Sequence, residues 1–139
     1  MKLYIKIILG VVLLFTITGI LAALYLYNKH PRSLQNIKPD YTVSASALLK
    51  EFEDDETGST AKYVNRILEV TGTITEVRKS EKDILNVTLN TGNDLSVIIC
   101  TFPAGTDEIK LVAGHDITVR GKCSGFLMDV LLNDCVVVK

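Results

Sequence analysis

The chain has 139 residues, enough for one domain once its hydrophobic N-terminal stretch is set aside. Its formal charge of −1 hides an asymmetry: Lys2, Lys6, Lys29, Arg32 and Lys38 give +5 before Pro39, whereas from Pro39 onward ten Lys or Arg face sixteen Asp or Glu, a balance of −6. An acidic globular part counts against phosphate-rich partners, and three cysteines without a C-x-x-C pair, beside only two histidines, exclude the usual zinc spacings.

Residues 1–6 are a short basic tail. Residues 7–27 form an unbroken apolar run without a charge, long enough to cross a bilayer as a helix. Tyr4, Tyr25 and Tyr27 sit near its ends, where amphipathic rings favour the interface. The run is longer than the core of a cleaved signal, and no A-x-A site follows it, so we read an uncleaved anchor whose partner is the lipid bilayer. A short basic tail before a first hydrophobic segment is the look of a signal anchor with its N-terminus inside, and we expect an exported domain on the periplasmic or extracellular side. The three basic residues after the run outnumber the two before it, which by charge alone points the other way. Residues 28–41, with Pro31 and Pro39, read as a linker.

The domain proper is expected over 42–139, with a helical lead-in at 43–64 and a barrel at 66–139. Ala45, Leu48, Leu49 and Phe52 recur at helical spacing behind Ser44 or Ser46 as N-cap. The acidic run Glu53 to Glu56 is read as a solvated face rather than a cation site. It precedes a second short helix through Ala61 to Val64, with the break marked by Gly58 and Ser59.

From Arg66 the period becomes two. Leu68, Val70, Gly72 and Ile74 alternate with polar residues, and Val77 falls out of phase, which predicts a bulge in a long, bent first strand. Leu85, Val87 and Leu89 make a second strand. Thr91-Gly92-Asn93-Asp94 is turn chemistry. Leu95, Val97 and Ile99 are assigned to one face of a third strand, with Ile98 and Cys100 on the other. Asp107 is expected to cap one helical turn through Leu111. Ile117 to Val138 then supplies two apolar runs that fold back as a hairpin. Five short strands with a helical connection between the third and fourth fit a mainly β, five-stranded OB-type Greek-key barrel, preceded by one or two short helices and a transmembrane helix.

If the hairpin turns about Asp129, Cys123 lies opposite Cys135, Gly121 opposite Val137 and Val119 opposite Lys139. Cys123 and Cys135 are therefore the disulfide candidates, closing a loop of about a dozen residues for about 2–3 kcal/mol in an oxidising compartment. The alternative is two buried free thiols acting as small hydrophobes. Cys100 is expected to be unpaired and buried beside Ile98.

The segments VSASALLKEF, YVNRILEVTGTITEV, VIICTF and VAGHDITVRGKCSGFLMDVLLNDCVVV resemble the bacterial tRNA_anti-like OB-fold family. The likeness runs from about Asp40 to Lys139, and its most specific part is the ending from Gly121 to Cys135. Members often have Gly-Lys before the first strand, where this chain has Asn65-Arg66. The resemblance implies the fold and a membrane-anchored or lipoprotein-like setting, and it transfers no catalytic residue.

His115 beside Asp116 is placed by no nucleophile motif, so we expect no catalysis, no cofactor and no metal. From Arg66 onward only Phe102 and Phe126 are aromatic, too few for a stacking platform, which again counts against nucleic acid. The expected role is a non-catalytic binding module of the bacterial cell envelope with an unknown protein or small-molecule ligand. By analogy with the OB binding face, the ligand would meet Thr71, Thr73, Thr75, Asn86, Thr88 and Asn90. The alternatives are a membrane-tethered binder of single-stranded nucleic acid facing the cytoplasm, or a structural or oligomerisation module.

Overall fold

The computed structural model describes residues 1–27, 33–106 and 111–138, and the chain divides into two compact units, Met1–Arg32 and Ser33–Lys139. The first holds helix α1, Lys2–Tyr27, which contains an 18-residue stretch of mean hydropathy 2.8 and has no buried residue. Its 26 residues span about 39 Å at the rise of an α-helix, long and apolar enough to cross a membrane. The Thr16 and Thr18 hydroxyls donate to the carbonyls of Leu13 and Leu14, each at 2.8 Å, so neither needs an outside partner.

The second unit is a closed barrel with one added strand. Its elements are β1 (Tyr41–Ser44), α2 (Ala45–Asp54), α3 (Glu56–Tyr63), β2 (Ile67–Lys79), β3 (Leu85–Leu89), β4 (Ile98–Phe102), β5 (Asp116–Leu127) and β6 (Asp129–Val137). Neighbours run β2–β3–β4–β6–β5, and β5 returns to β2, which closes the barrel. The β4–β6 pairing is parallel and the other four barrel pairings antiparallel, the Greek-key arrangement of an OB fold. The alternation seen in β2 and β3 sends Leu68, Val70, Ile74, Leu85, Val87 and Leu89 into the core. The register of β2 shifts between Ile74 and Glu76, the bulge that Val77's phase predicts.

Ser44 caps α2 by accepting from the Ala47 amide at 3.2 Å. Leu48, Leu49 and Phe52 on its apolar stripe join the barrel core. Gly72 makes the approach possible: a Cβ there would meet the Ala45 Cβ at 2.9 Å. The break between α2 and α3 falls at Asp55 rather than at Gly58 and Ser59. Asp55 accepts from the Gly58 amide at 2.9 Å as the α3 N-cap, and Ser59 lies within α3, donating to the Glu51 carbonyl. Glu51 also receives Lys62 Nζ at 2.8 Å and Tyr63 Oη at 2.7 Å, and these donors hold its carboxyl below the usual range.

The linker reading ends sooner than residue 41. Leu34–Asn36 form a 3₁₀ turn with Leu34 buried, and β1 adds to β2 in parallel. Arg120 fastens this segment. Its Nη1 donates to the carbonyls of Leu34, Gln35 and Ile37, while Nε and Nη2 donate to Glu69, the residue opposite it in the β2–β5 ladder. Both charged side chains are largely enclosed, at 12% and 18% exposure. Proline and charge counts along the linker contain no trace of a contact made by a side chain more than 80 residues away.

Two strand assignments change. In β4 Cys100 is buried beside Ile98 as expected, with Phe102 also inward, but the strand begins at Ile98, so Leu95 and Val97 precede it and Ile99 alone of that set is an outward strand residue. The last hairpin turns about Met128, with Leu127 opposite Asp129, rather than about Asp129. The turn about Met128 places Val119 opposite Val137, and register shifts near Ser124 and near Asp134, whose φ is +54°, offset the residues between them by one so that Cys123 lies opposite Leu132. The Cys123–Cys135 disulfide is thereby excluded: Cys100, Cys123 and Cys135 are all free and buried. A single symmetric turn is all that residue counting supplies, and two bulges undo its register. The helical turn expected from Asp107 falls mostly on residues 107–110, outside the described residues.

Candidate binding face

The six residues placed on the outer face divide between two hollows. Thr75, Asn86 and Thr88 line a shallow groove of about 760 Å³ across β2, β3 and β4, together with Glu76, Arg78, Val97 and Ile99. The bulge at Ile74/Glu76 lies at the point where β2 contributes Thr75 and Glu76 to this groove. Thr75 Oγ1 donates to the Thr88 carbonyl at 3.2 Å, and Asn86 accepts from Thr101 Oγ1 at 3.0 Å. The free lone pairs and N–H groups of Asn86 and the hydroxyl of Thr88 are left for a ligand. Val97 and Ile99 form an apolar strip beside them. Arg78 pairs with Glu76 at 2.6 Å at one edge, which raises the guanidinium further above its ordinary value.

Thr71, Thr73 and Asn90 line a smaller hollow with Ser44, Ser46, Thr91 and Gly92. Here the hydroxyls are largely committed. Thr71 bonds Thr118 at 3.0 Å and Thr73 donates to Asp116, both across the β2–β5 ladder. Asn90 Oδ1 accepts from the Gly92 amide at 2.8 Å. These residues knit the barrel seam and the β3–β4 loop.

The acidic run does not converge. Glu53 accepts from Asn93 Nδ2 at 2.8 Å, Asp55 caps α3, and no group of three metal-ligating side chains assembles among the described residues. His115 is exposed, and its carbonyl accepts from the Ile74 amide.

Both phenylalanines of the barrel are turned away from the groove. Phe102 is buried, and Phe126 stacks on Phe52 at 5.3 Å. Residue counting missed Val97 and Ile99. The signal was present, because alternation carried through to Phe102 selects Ile98, Cys100 and Phe102 as the inward set. Burial holds the Cys123 thiol above the ordinary cysteine value. Burial together with the neighbouring Cys100 thiol holds Cys135 well above it.

Comparison with solved structures supports the architecture. A Klebsiella pneumoniae protein described as a "putative nucleic acid-binding lipoprotein" is 21% identical, with a TM-score of 0.59 over 70% of this chain and 91% of that one. An aspartyl-tRNA synthetase described from Leishmania major matches at 13% identity and a TM-score of 0.47, this chain spanning 26% of that one, and carries no argument. No curated protein matches the chain. The tRNA_anti-like family model matches residues 1–136, thus the helix as well as nearly all of the barrel. With the closed Greek-key barrel on the page and a match of that extent, the chain belongs to the tRNA_anti-like family.

Proposed function

We propose that this protein is a non-catalytic binding module anchored in the bacterial cell envelope by α1, and that its ligand lies in the β2–β3–β4 groove. The observation that carries the reading is the groove itself. Thr88 and Asn86 offer polar groups beside an apolar strip of Val97 and Ile99, at the place where OB barrels bind ligands. Thr71 and Thr73 are assigned to the scaffold, because their hydroxyls already have partners across the β2–β5 ladder, and Asn90 because its Oδ1 fixes the β3–β4 loop.

A second reading, single-stranded nucleic acid, is favoured by the printed description of the Klebsiella lipoprotein. That description argues against treating nucleic acid as an unlikely partner on composition alone. The acidic balance and the absence of an exposed ring in the groove support a neutral ligand instead.

Titration of the full chain in detergent with a dT12 oligonucleotide and with envelope oligosaccharides tests both. Thr88→Lys and Ile99→Lys are each expected to abolish saccharide binding. Binding left intact by both substitutions sinks the groove assignment. Oligonucleotide affinity that falls steeply with salt, with a log–log slope of about −0.7 per phosphate neutralised, selects the second reading.

A further inference from the structure

Among the described residues of the barrel unit, three large apolar side chains stand far into solvent: Leu95 at 82% exposure, Leu127 at 80% and Met128 at 73%. They belong to two segments bonded to each other. The Val97 amide donates to Asp129 Oδ1 at 2.9 Å, and the Val130 amide to the Val97 carbonyl at 3.1 Å. The end of the β3–β4 loop is thereby joined to the tip of the β5–β6 hairpin. Between them lies a hollow of about 600 Å³ lined by Glu56, Ser96, Phe126, Leu127 and Met128.

This tip is held in place. Asn93 Oδ1 accepts from the Leu95 amide at 2.9 Å, Thr91 Oγ1 donates to the Ser96 carbonyl at 2.6 Å, and the Phe126–Phe52 stack ties the hairpin to α2. Met128 takes a φ of +68°, a left-handed conformation that glycine or asparagine adopts more readily than an unbranched apolar side chain. The tip thus carries an apolar side chain where both backbone strain and solvent exposure disfavour one. Strain of that kind gathers at binding positions.

Charge says what the tip would meet. Segments 53–56, 93–97 and 126–130 hold six carboxylates, Glu53, Asp54, Asp55, Glu56, Asp94 and Asp129, and no Lys or Arg. Glu56 lines the hollow itself, and the Asn93–Glu53 bond brings the loop that carries Asp94 beside the acidic α2–α3 junction. A rim of one sign around apolar side chains repels an anionic lipid surface and a second copy of itself, and attracts a cation-bearing chain.

We infer that the Leu95–Leu127–Met128 tip docks a protein partner through a segment that presents apolar side chains flanked by lysine or arginine. This surface is separate from the groove, so either assignment can fail without the other.

The test uses the full chain in phosphatidylcholine nanodiscs and two labelled twelve-residue probes, one of leucine and lysine and one of leucine and glutamate, followed by fluorescence anisotropy. The leucine–lysine probe is expected to bind and the leucine–glutamate probe not. Leu127→Ser with Met128→Gly should weaken binding about tenfold or more, corresponding to a centre-of-patch anchor. Glu53→Gln with Asp94→Asn should weaken it less and flatten its salt dependence, and Val112→Ser should leave it unchanged. Leu127→Gln with Met128→Asn, which keeps a residue tolerant of positive φ, repeats the arm if the first variant melts early. Equal binding of both probes, unchanged affinity in the tip variants, self-association lost in those variants, or tip-dependent uptake by phosphatidylglycerol vesicles would each overturn the inference.

Discussion

Arg120 is the residue on which most of the fold's polar geometry converges. Its guanidinium satisfies three carbonyls of residues 34–37 and one carboxylate at once, in a largely enclosed position. Arg120→Met should cost about 3 kcal/mol in denaturant unfolding, because Glu69 is left enclosed without its partner. Arg120→Lys should recover only part of this, since an ammonium lacks the planar fork. At Gly121 the constraint is space. A Cβ would meet the Cys135 sulfur at 2.6 Å, so Gly121→Ala should destabilise by about 1–3 kcal/mol, and Cys135→Ala should relieve part of that loss in a double-mutant cycle. The thiols also give a pH dependence. Cys123 and Cys135 have folded values above the ordinary 9.0, so the folded chain holds protons that the unfolded chain releases. Stability is full below about pH 9 and falls as pH rises beyond it. Urea midpoints measured between pH 7 and 10.5 should show this fall, and it should shrink in Cys135→Ala.

At the scale of elements, legibility followed the strength of local alternation. β2 and β3 each have one apolar face, and their inward residues and the bulge near Val77 can be read directly from the residue order. β4 sits in a run, Val97 to Cys100, that is apolar on both faces. Within that run periodicity cannot choose a phase; only alternation carried on to Phe102 selects Ile98, Cys100 and Phe102 as inward and leaves Val97 and Ile99 beside the groove. The final hairpin failed for another reason. Register depends on where the turn lies and on every bulge after it, and neither Ser124 nor Asp134 announces one by residue type. The helices show the same contrast. α2 was plain from its stripe, whereas the start of α3 depends on Asp55, one of four consecutive acids and the only one of them that caps it. Asp55→Ala should cost about 1 kcal/mol, read as a lower melting temperature of the whole barrel, since α3 carries Tyr63 into its core.

For the whole molecule, composition separates a basic, apolar part before Pro39 from an acidic part after it, whereas the structure divides the chain between Arg32 and Ser33. Composition could not reveal that residues 34–37 belong to the barrel, because their attachment rests on one arginine far along the chain. Residues 33–139 alone should therefore unfold in a single cooperative transition. A fragment beginning at Tyr41, lacking the Arg120 contacts, should unfold at lower urea. Differential scanning calorimetry of the two fragments checks this directly.

The strand order has a consequence for how the chain is made. β6, the last strand, lies between β4 and β5 and closes the barrel, while β5 must reach back about fifty residues to pair with β2. During synthesis the barrel stays open until β6 has been translated. For that interval β4 and β5 carry unpaired edges, and a chain stalled between β5 and β6 offers them to its neighbours. A barrel built in this order depends on β6 following β5 quickly, or on a chaperone that covers those edges until β6 arrives.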